Sequence, residues 1–265
     1  MINKRLKIIT LFITTLLNCN LLIAQALPEF HAKYAIEKYG IKVAEASYKL
    51  SHTDNGYKFT QNTELDGFIG MFADDTISAI SYVNEIDGQL LLQKYRYTQT
   101  GREKNRNEEI NIQWDTSKKP EKGKISGVVR SKKINLETEG PVWDVLSFQI
   151  PLMIEANEKI EQYPYKALLK GEIDTYNFVL KSNKKITFAG KEYKLLQMVR
   201  TDPRKKRQLH IWIAPELHNL PVIIESYRKG KEHSRMQLES VQFNNEKILS
   251  EPMFNEQFTD NDEEY

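Results

Sequence analysis

The stretch Phe30-His31-Ala32-Lys33-Tyr34-Ala35-Ile36-Glu37 decides the fold. Phe30, Ala32, Tyr34 and Ile36 alternate with His31, Lys33 and Glu37. Successive strand side chains point to opposite faces, so a period of two predicts a half-buried strand. After Gly40 the pattern returns at Ala44, Ala46, Tyr48 and Leu50. Asp54-Asn55-Gly56 then supplies a turn, because Asn and Gly tolerate positive φ. Tyr57 and Phe59 open a third run.

The same signal continues outward from this region. Strands are expected at 77–86, 90–98, 110–114, 125–130 and 134–137, and again at 176–180, 193–199, 209–213, 222–227 and 236–243. Asp87-Gly88, Ala189-Gly190 and Lys229-Gly230 separate several of them. Many short strands at this spacing predict an all-β fold, mainly antiparallel, as a strongly curved sheet or half-barrel. Residues 142–154 break the pattern, with apolar Val142, Val145, Leu146 and Phe148 at helical spacing. One short helix is expected there, against the sheet. Gly140-Pro141 would end the preceding strand, and Pro151 would kink or stop the helix. No internal repeat of fixed period is found.

Of the 265 residues, 40% are hydrophobic and 28% charged, which excludes a disordered or fibrous chain. The formal charge is +2, from 38 basic and 36 acidic residues. Lys4, Arg5 and Lys7 lie in an acid-free first 26 residues, so the remainder carries 35 minus 36, or −1. Such a chain is not built to neutralise phosphate backbones, and no nucleic-acid partner is expected.

Met1 to Lys7 is basic, Ile8 to Ala24 mostly apolar, and Ala24-Gln25-Ala26 offers small residues to a peptidase. Residues 1–26 therefore read as a secretory signal peptide, with a single β domain over 27–250 and an acidic tail over 251–265. The expected location is the periplasm, with no transmembrane segment in the mature chain. Cys19, the one cysteine, lies inside the leader, and Leu16-Leu17-Asn18 before it lacks the small residue usual beside an acylated cysteine. A chain cut after Ala26 has no thiol for disulfides, catalysis or zinc.

The chemistry-bearing residues do not spell out a reaction. His31, His52, His210, His218 and His233 have no metal-ligand spacing, so no metal or other cofactor is expected. No nucleophile elbow occurs, and Asp144 with Ser147 reads as a cap or a solvent-facing pair. The neighbours Asp74-Asp75 and Glu108-Glu109 would point to opposite faces of a strand. Arg204-Lys205-Lys206-Arg207 reads as an exposed hairpin loop, or as a contact for anionic headgroups. Trp143 and Trp212, like Trp114, read as core, or as the lining of a cavity for an apolar ligand.

Three blocks carry a family resemblance. Phe30-x-Ala32-x-Tyr34 precedes Gly40-Ile41-x-Val43-Ala44-Glu45-Ala46; Asp144-Val145-Leu146-Ser147 lies centrally; Trp212-Ile213-Ala214-Pro215-Glu216-Leu217 leads into Leu220-Pro221-Val222. In this order the chain resembles the exported bacterial proteins of the domain of unknown function DUF3108. The resemblance implies a mainly β envelope protein and transfers no catalytic residue. By analogy its sheet is likened to the half-barrel lipoprotein carriers. The third block reads as a structural corner, since Pro215 removes a ladder donor and the residue before Pro221 prefers extended geometry. The expected role is non-enzymatic, in an exported envelope protein that binds an apolar or amphiphilic component. A scaffold for envelope assembly, partnered by another envelope protein, and an envelope hydrolase are the alternatives.

Overall fold

The computed structural model describes residues 26–65, 76–101, 105–117, 119–188, 191–202 and 206–249. The strands are β1 (Phe30–Lys38), β2 (Ile41–Thr53), β3 (Gly56–Leu65), β4 (Thr76–Ile86), β5 (Gln89–Gln99), β6 (Glu108–Asp115), β7 (Lys122–Val129) and β8 (Lys132–Glu139). Helix α1 (Gln149–Glu155) follows. Then come β9 (Gln162–Leu169), β10 (Glu172–Phe188), β11 (Lys191–Asp202), β12 (Arg207–Ala214), β13 (Leu220–Arg228), β14 (Lys231–Phe243) and β15 (Glu246–Leu249). All pair antiparallel in one sheet, in the order β8-β7-β6-β5-β4-β3-β2-β1-β14-β13-β12-β11-β10-β9, with β15 beside β14.

The opening hairpin forms as its alternation requires. Phe30, Ala32 and Tyr34 pair with Leu50, Tyr48 and Ala46, and all six are buried. Gly56 sits at φ +149, and a Cβ there would collide with the Val83 carbonyl. Only glycine fits that approach between β3 and β4. The corner after β12 is also as expected. Ala214 ends the ladder, Pro215–Leu217 forms a 3-10 turn, and β13 starts at Leu220.

The sheet does not close into a barrel, because its edge strands β8 and β9 do not pair with each other. The chain leaving β8 draws the edges together. The Trp143 N–H donates to the Lys166 carbonyl at 2.9 Å, and the Leu168 N–H donates to the Trp143 carbonyl at 2.7 Å. Lys166 Nζ also donates to the Glu139 carbonyl. Trp143 thus makes a parallel bridge to Ala167, so this part of 142–154 is extended rather than helical. The helix starts later than the sequence suggests, and Pro151 lies in its first turn, where its missing N–H costs nothing. β9 was not expected, because Pro164 interrupts a run that alternates only from Tyr163 to Ala167.

Phe30, Leu50, Phe59, Ser81 and Ile110 face inward, and α1 lies on this inner side. Gln149 to Met153 are buried on every side of the helix, as an apolar short helix requires. Phe148 stacks on Phe178 at 5.5 Å and 6° between planes. One continuous core joins α1 to strands from both halves of the sheet. The inner face is therefore filled.

The meander puts alternate connections at opposite ends of the sheet. One end, the mouth, carries the β2–β3, β4–β5 and β6–β7 connections and α1; the far end carries the β1–β2, β7–β8, β9–β10 and β13–β14 turns. Among the described residues no helix is long and apolar enough to cross a membrane.

Candidate functional site

At the mouth the filled interior gives way to a cavity of about 520 Å³. Pro141 and Trp143 wall it from the extended chain after β8, Pro151 and Ile154 from α1, and Tyr57 and Leu90 from the sheet. Glu85, Gln89 and Glu155 supply its polar groups, and Ala26 lies at its rim. The walls are placed by features already met: the parallel bridge fixes Trp143, and the Asp87-Gly88 turn brings Glu85, Gln89 and Leu90 together.

Glu155 and the Tyr57 hydroxyl are held rather than loose. The Tyr165 hydroxyl donates to Glu155 Oε2 at 3.1 Å, while burial pushes the Glu155 carboxyl above its ordinary range. The Leu27 N–H donates to the Tyr57 hydroxyl at 3.1 Å, and the Tyr57 phenol is raised by burial. His52 Nε2 lies 2.7 Å from the Leu27 carbonyl, and its ring packs edge-on against Tyr57 at 5.5 Å. An apolar wall faced by carboxylates can take an apolar group whose other end is cationic or rich in hydroxyls.

The residues singled out from sequence separate. Trp143 is buried and lines the mouth cavity. Trp212 lies on the outer face, half-buried, with Nε1 3.4 Å from Glu225 Oε2 and Lys184 Nζ 4.4 Å above its ring. Lys206 and Arg207 are exposed at the far end, and Arg204 and Lys205 lie outside the described residues. Arg207 borders a cleft of about 330 Å³ that mixes Lys170 and Arg200 with Glu172, Asp174 and Asp202.

Asp144 and Ser147 differ most from expectation. Both are completely buried, so the solvent-facing alternative is wrong; Asp144 caps the turn that precedes α1 and not α1 itself, whose N-cap Phe148 has no side-chain bond. Asp144 Oδ1 accepts the N–H groups of Leu146 at 2.7 Å and Ser147 at 3.0 Å; Oδ2 accepts the hydroxyls of Ser147 at 2.7 Å and Ser81 at 2.8 Å. Nothing in this cluster has access to a substrate. Glu109 is exposed beside Arg96 and Lys94, while Glu108 is largely covered and its carboxyl raised by burial, as opposite strand faces require. The Asp74-Asp75 pair lies outside the described residues. Among the described residues no three His, Cys, Asp or Glu side chains are placed to hold a metal ion.

Sequence reasoning missed the polar half of the mouth. Glu85, Gln89 and Glu155 stand in ordinary strand and helix positions, and only tertiary structure brings them to one opening.

Comparison with known proteins gives a family and a fold. The family model of DUF3108, a protein of unknown function, matches residues 29–232. No curated protein matches the chain. Its structure is similar to that of a beta-barrel-like protein of the domain of unknown function DUF1849 from Brucella abortus, with a TM-score of 0.53 and 11% identity. That match covers 82% of this chain and 98% of the other. At this identity the likeness concerns the fold alone.

Proposed function

The chain belongs to the DUF3108 family, and from that premise we propose that it is an exported envelope protein that acts by binding, holding the end of an apolar or amphiphilic envelope component in the mouth cavity. The observation that carries this reading is the make-up of the cavity. About 520 Å³ of space is walled by two aromatic rings and four aliphatic or proline side chains, with carboxylates at Glu85 and Glu155. That volume is within the usual range for a small-molecule site.

The filled inner face limits what can enter. A carrier that swallows whole acyl chains needs an empty half-barrel, whereas here α1 occupies that space. The ligand is therefore held by one end, with the rest outside. Export is supported by the basic and apolar leader, and its cut after Ala26 would fall at the cavity rim, immediately before the buried Leu27. A filled core also suits a module for envelope assembly, so a co-purifying protein in place of a small amphiphile would favour that second reading.

Native mass spectrometry of the protein purified from its host tests the proposal. A bound amphiphile is expected on the wild type and absent from Leu90→Lys or Ile154→Lys, which put a charge into the cavity from half-buried positions. Circular dichroism confirms that the variants fold. A bare wild type that also fails to take up N-phenyl-1-naphthylamine, or variants that retain the ligand, would overturn it.

A further inference from the structure

The far end of the sheet differs in charge from the mouth. Its connections contribute Arg106, Arg130, Lys170, Lys206 and Lys229, all exposed, and no acid among the described residues. Among the described residues the mouth connections contribute exposed Asp54, Asp87, Glu155, Glu158, Glu161 and Glu216, with Glu121 and Asp144 buried, against Lys119 and Lys159. Counted over the described connections, the two ends of the sheet therefore differ in charge, and exposed Glu172 and Asp174 flank Lys170 at the start of β10.

The cations stand where the backbone disfavours them. Arg130, Lys170, Lys206 and Lys229 have φ of 52°, 54°, 49° and 51°, the left-handed region that Gly, Asn and Asp occupy most easily. At the mouth the same conformation is given to Asp87, Asn219, Asn244 and Asn245, and to His218. Turn geometry alone therefore does not account for lysine and arginine at the far end.

The basic turns also adjoin one another and an apolar tip. The Lys229 N–H donates to the Lys206 carbonyl at 2.8 Å, and Arg207 pairs in register with Arg228. Burial, together with Arg228, Lys38 and Arg207, holds the His233 imidazole below its ordinary range. The His233 ring lies 6.2 Å from Tyr39. Tyr39, at φ 55°, is 74% exposed and Ile41 is 65% exposed. Cations around an exposed aromatic and an exposed aliphatic residue match a bilayer interface, where headgroup phosphates meet the first methylenes.

We propose that the far end docks on an anionic phospholipid surface, Lys170, Lys206 and Lys229 meeting the phosphates and Tyr39 and Ile41 entering the interface. The mouth then points away from that surface. The proposal does not depend on what the mouth binds.

Vesicle co-sedimentation tests it, with purified protein and phosphatidylcholine vesicles that contain or lack phosphatidylglycerol. The wild type is expected to prefer the anionic vesicles and to lose that preference between about 50 mM and about 500 mM salt. Lys170→Glu/Lys206→Glu/Lys229→Glu should weaken binding about tenfold or more, since each cation near an anionic surface contributes independently. Tyr39→Ser should weaken it severalfold even in high salt. The mouth variant Asp54→Lys/Asp87→Lys/Glu158→Lys should not weaken it, and any retained leader acts equally on all forms. Circular dichroism and melting check folding, and Lys206→Gln/Lys229→Gln serves if the triple variant is unstable. Equal binding to neutral and anionic vesicles, reversal variants that bind like the wild type, or a preference for duplex DNA over vesicles at the same salt would each overturn the proposal.

Discussion

Two carboxylates are buried on opposite faces of the same sheet, and they are satisfied in different ways. Asp144, on the inner face, takes only neutral donors: two backbone N–H groups and two serine hydroxyls within 3.0 Å. Glu225, on the outer face, has Arg235 Nη2 at 2.8 Å and His210 Nδ1 at 3.8 Å, with the Tyr227 hydroxyl at 3.3 Å and Trp212 Nε1 at 3.4 Å. The difference follows from access to water. Arg235 keeps 26% of its side chain exposed, so a guanidinium can lie over the outer face without complete desolvation. The core beneath α1 has no such outlet, and short hydroxyls and amides are the donors that fit. The cost falls on ionisation: burial raises the Asp144 carboxyl, and its hydrogen bonds to Ser147, Leu146 and Ser81 offset only part of the rise.

The comparison is tested most severely by removing the inner carboxylate. Asp144→Ala strands the Leu146 and Ser147 N–H groups and the Ser81 and Ser147 hydroxyls in the core, and it frees the segment before α1 from β4. Unsatisfied buried donors cost about 1–3 kcal/mol each and are not additive, so a loss of about 3 kcal/mol or more is expected. Urea denaturation reads it directly. A loss below about 1 kcal/mol would mean that the cluster is decoration rather than the anchor of α1.

A smaller effect separates the charge from the hydrogen bonds. The folded Asp144 carboxyl titrates above its unfolded value, which lies near pH 4. Below that value both states are protonated and nothing is gained or lost. As pH rises through the window up to the folded value, the unfolded chain releases a proton that the folded chain keeps, so stability falls. Above the window the penalty is constant. Asp144→Asn lacks this titration but keeps an oxygen acceptor. Unfolding midpoints at a series of pH values should therefore show the wild type losing ground to the variant as pH rises from about 4. Glu155, also raised by burial, acts alike in both proteins and cancels in the difference, whereas Glu108, raised by burial and in part by the Asp144 charge, titrates lower in the variant and adds to its gain with the same sign. Parallel curves would show that Asp144 is not the buried acid it is taken to be.

Much of the sheet was legible because its signals are local. Alternation at Phe30, Ala32 and Tyr34, the Asp54-Asn55-Gly56 turn and the Pro215 corner each act within a few residues, and each stands where the sequence put it. Spacing also made Asp144 a capping residue. Its burial was not legible, because the completing hydroxyl, Ser81, is 63 residues away on β4. Helical spacing from Val142 was misleading for a related reason: the β9 edge takes the Trp143 backbone into a bridge, and tertiary pairing overrides periodicity there. The mouth cavity was half legible. Trp143 could be named as a lining residue, but Glu85, Gln89 and Glu155 come from elements that meet only once the sheet has curved.

The outer carboxylate gives the mildest test, and it reaches a neighbour rather than the whole fold. Glu225→Gln keeps an acceptor for Trp212 and Tyr227, and Arg235 keeps Glu232 at 3.0 Å, so a loss of about 1 kcal/mol is expected. The sharper readout is His210, which faces Glu225 across the β12–β13 pair. Burial lowers the His210 imidazole, and the Glu225 charge pulls in the other direction. With the charge gone only the lowering influence remains, so NMR titration should find His210 protonating at lower pH in the variant than in the wild type. The same sign governs stability. A histidine held neutral by the fold costs stability as pH falls below its ordinary value of about 6.5, and the variant should lose more than the wild type there. An unmoved His210 would mean that Arg235 alone screens Glu225. The outer site would then be a single ion pair, and the contrast with the many-donor inner site would become greater still.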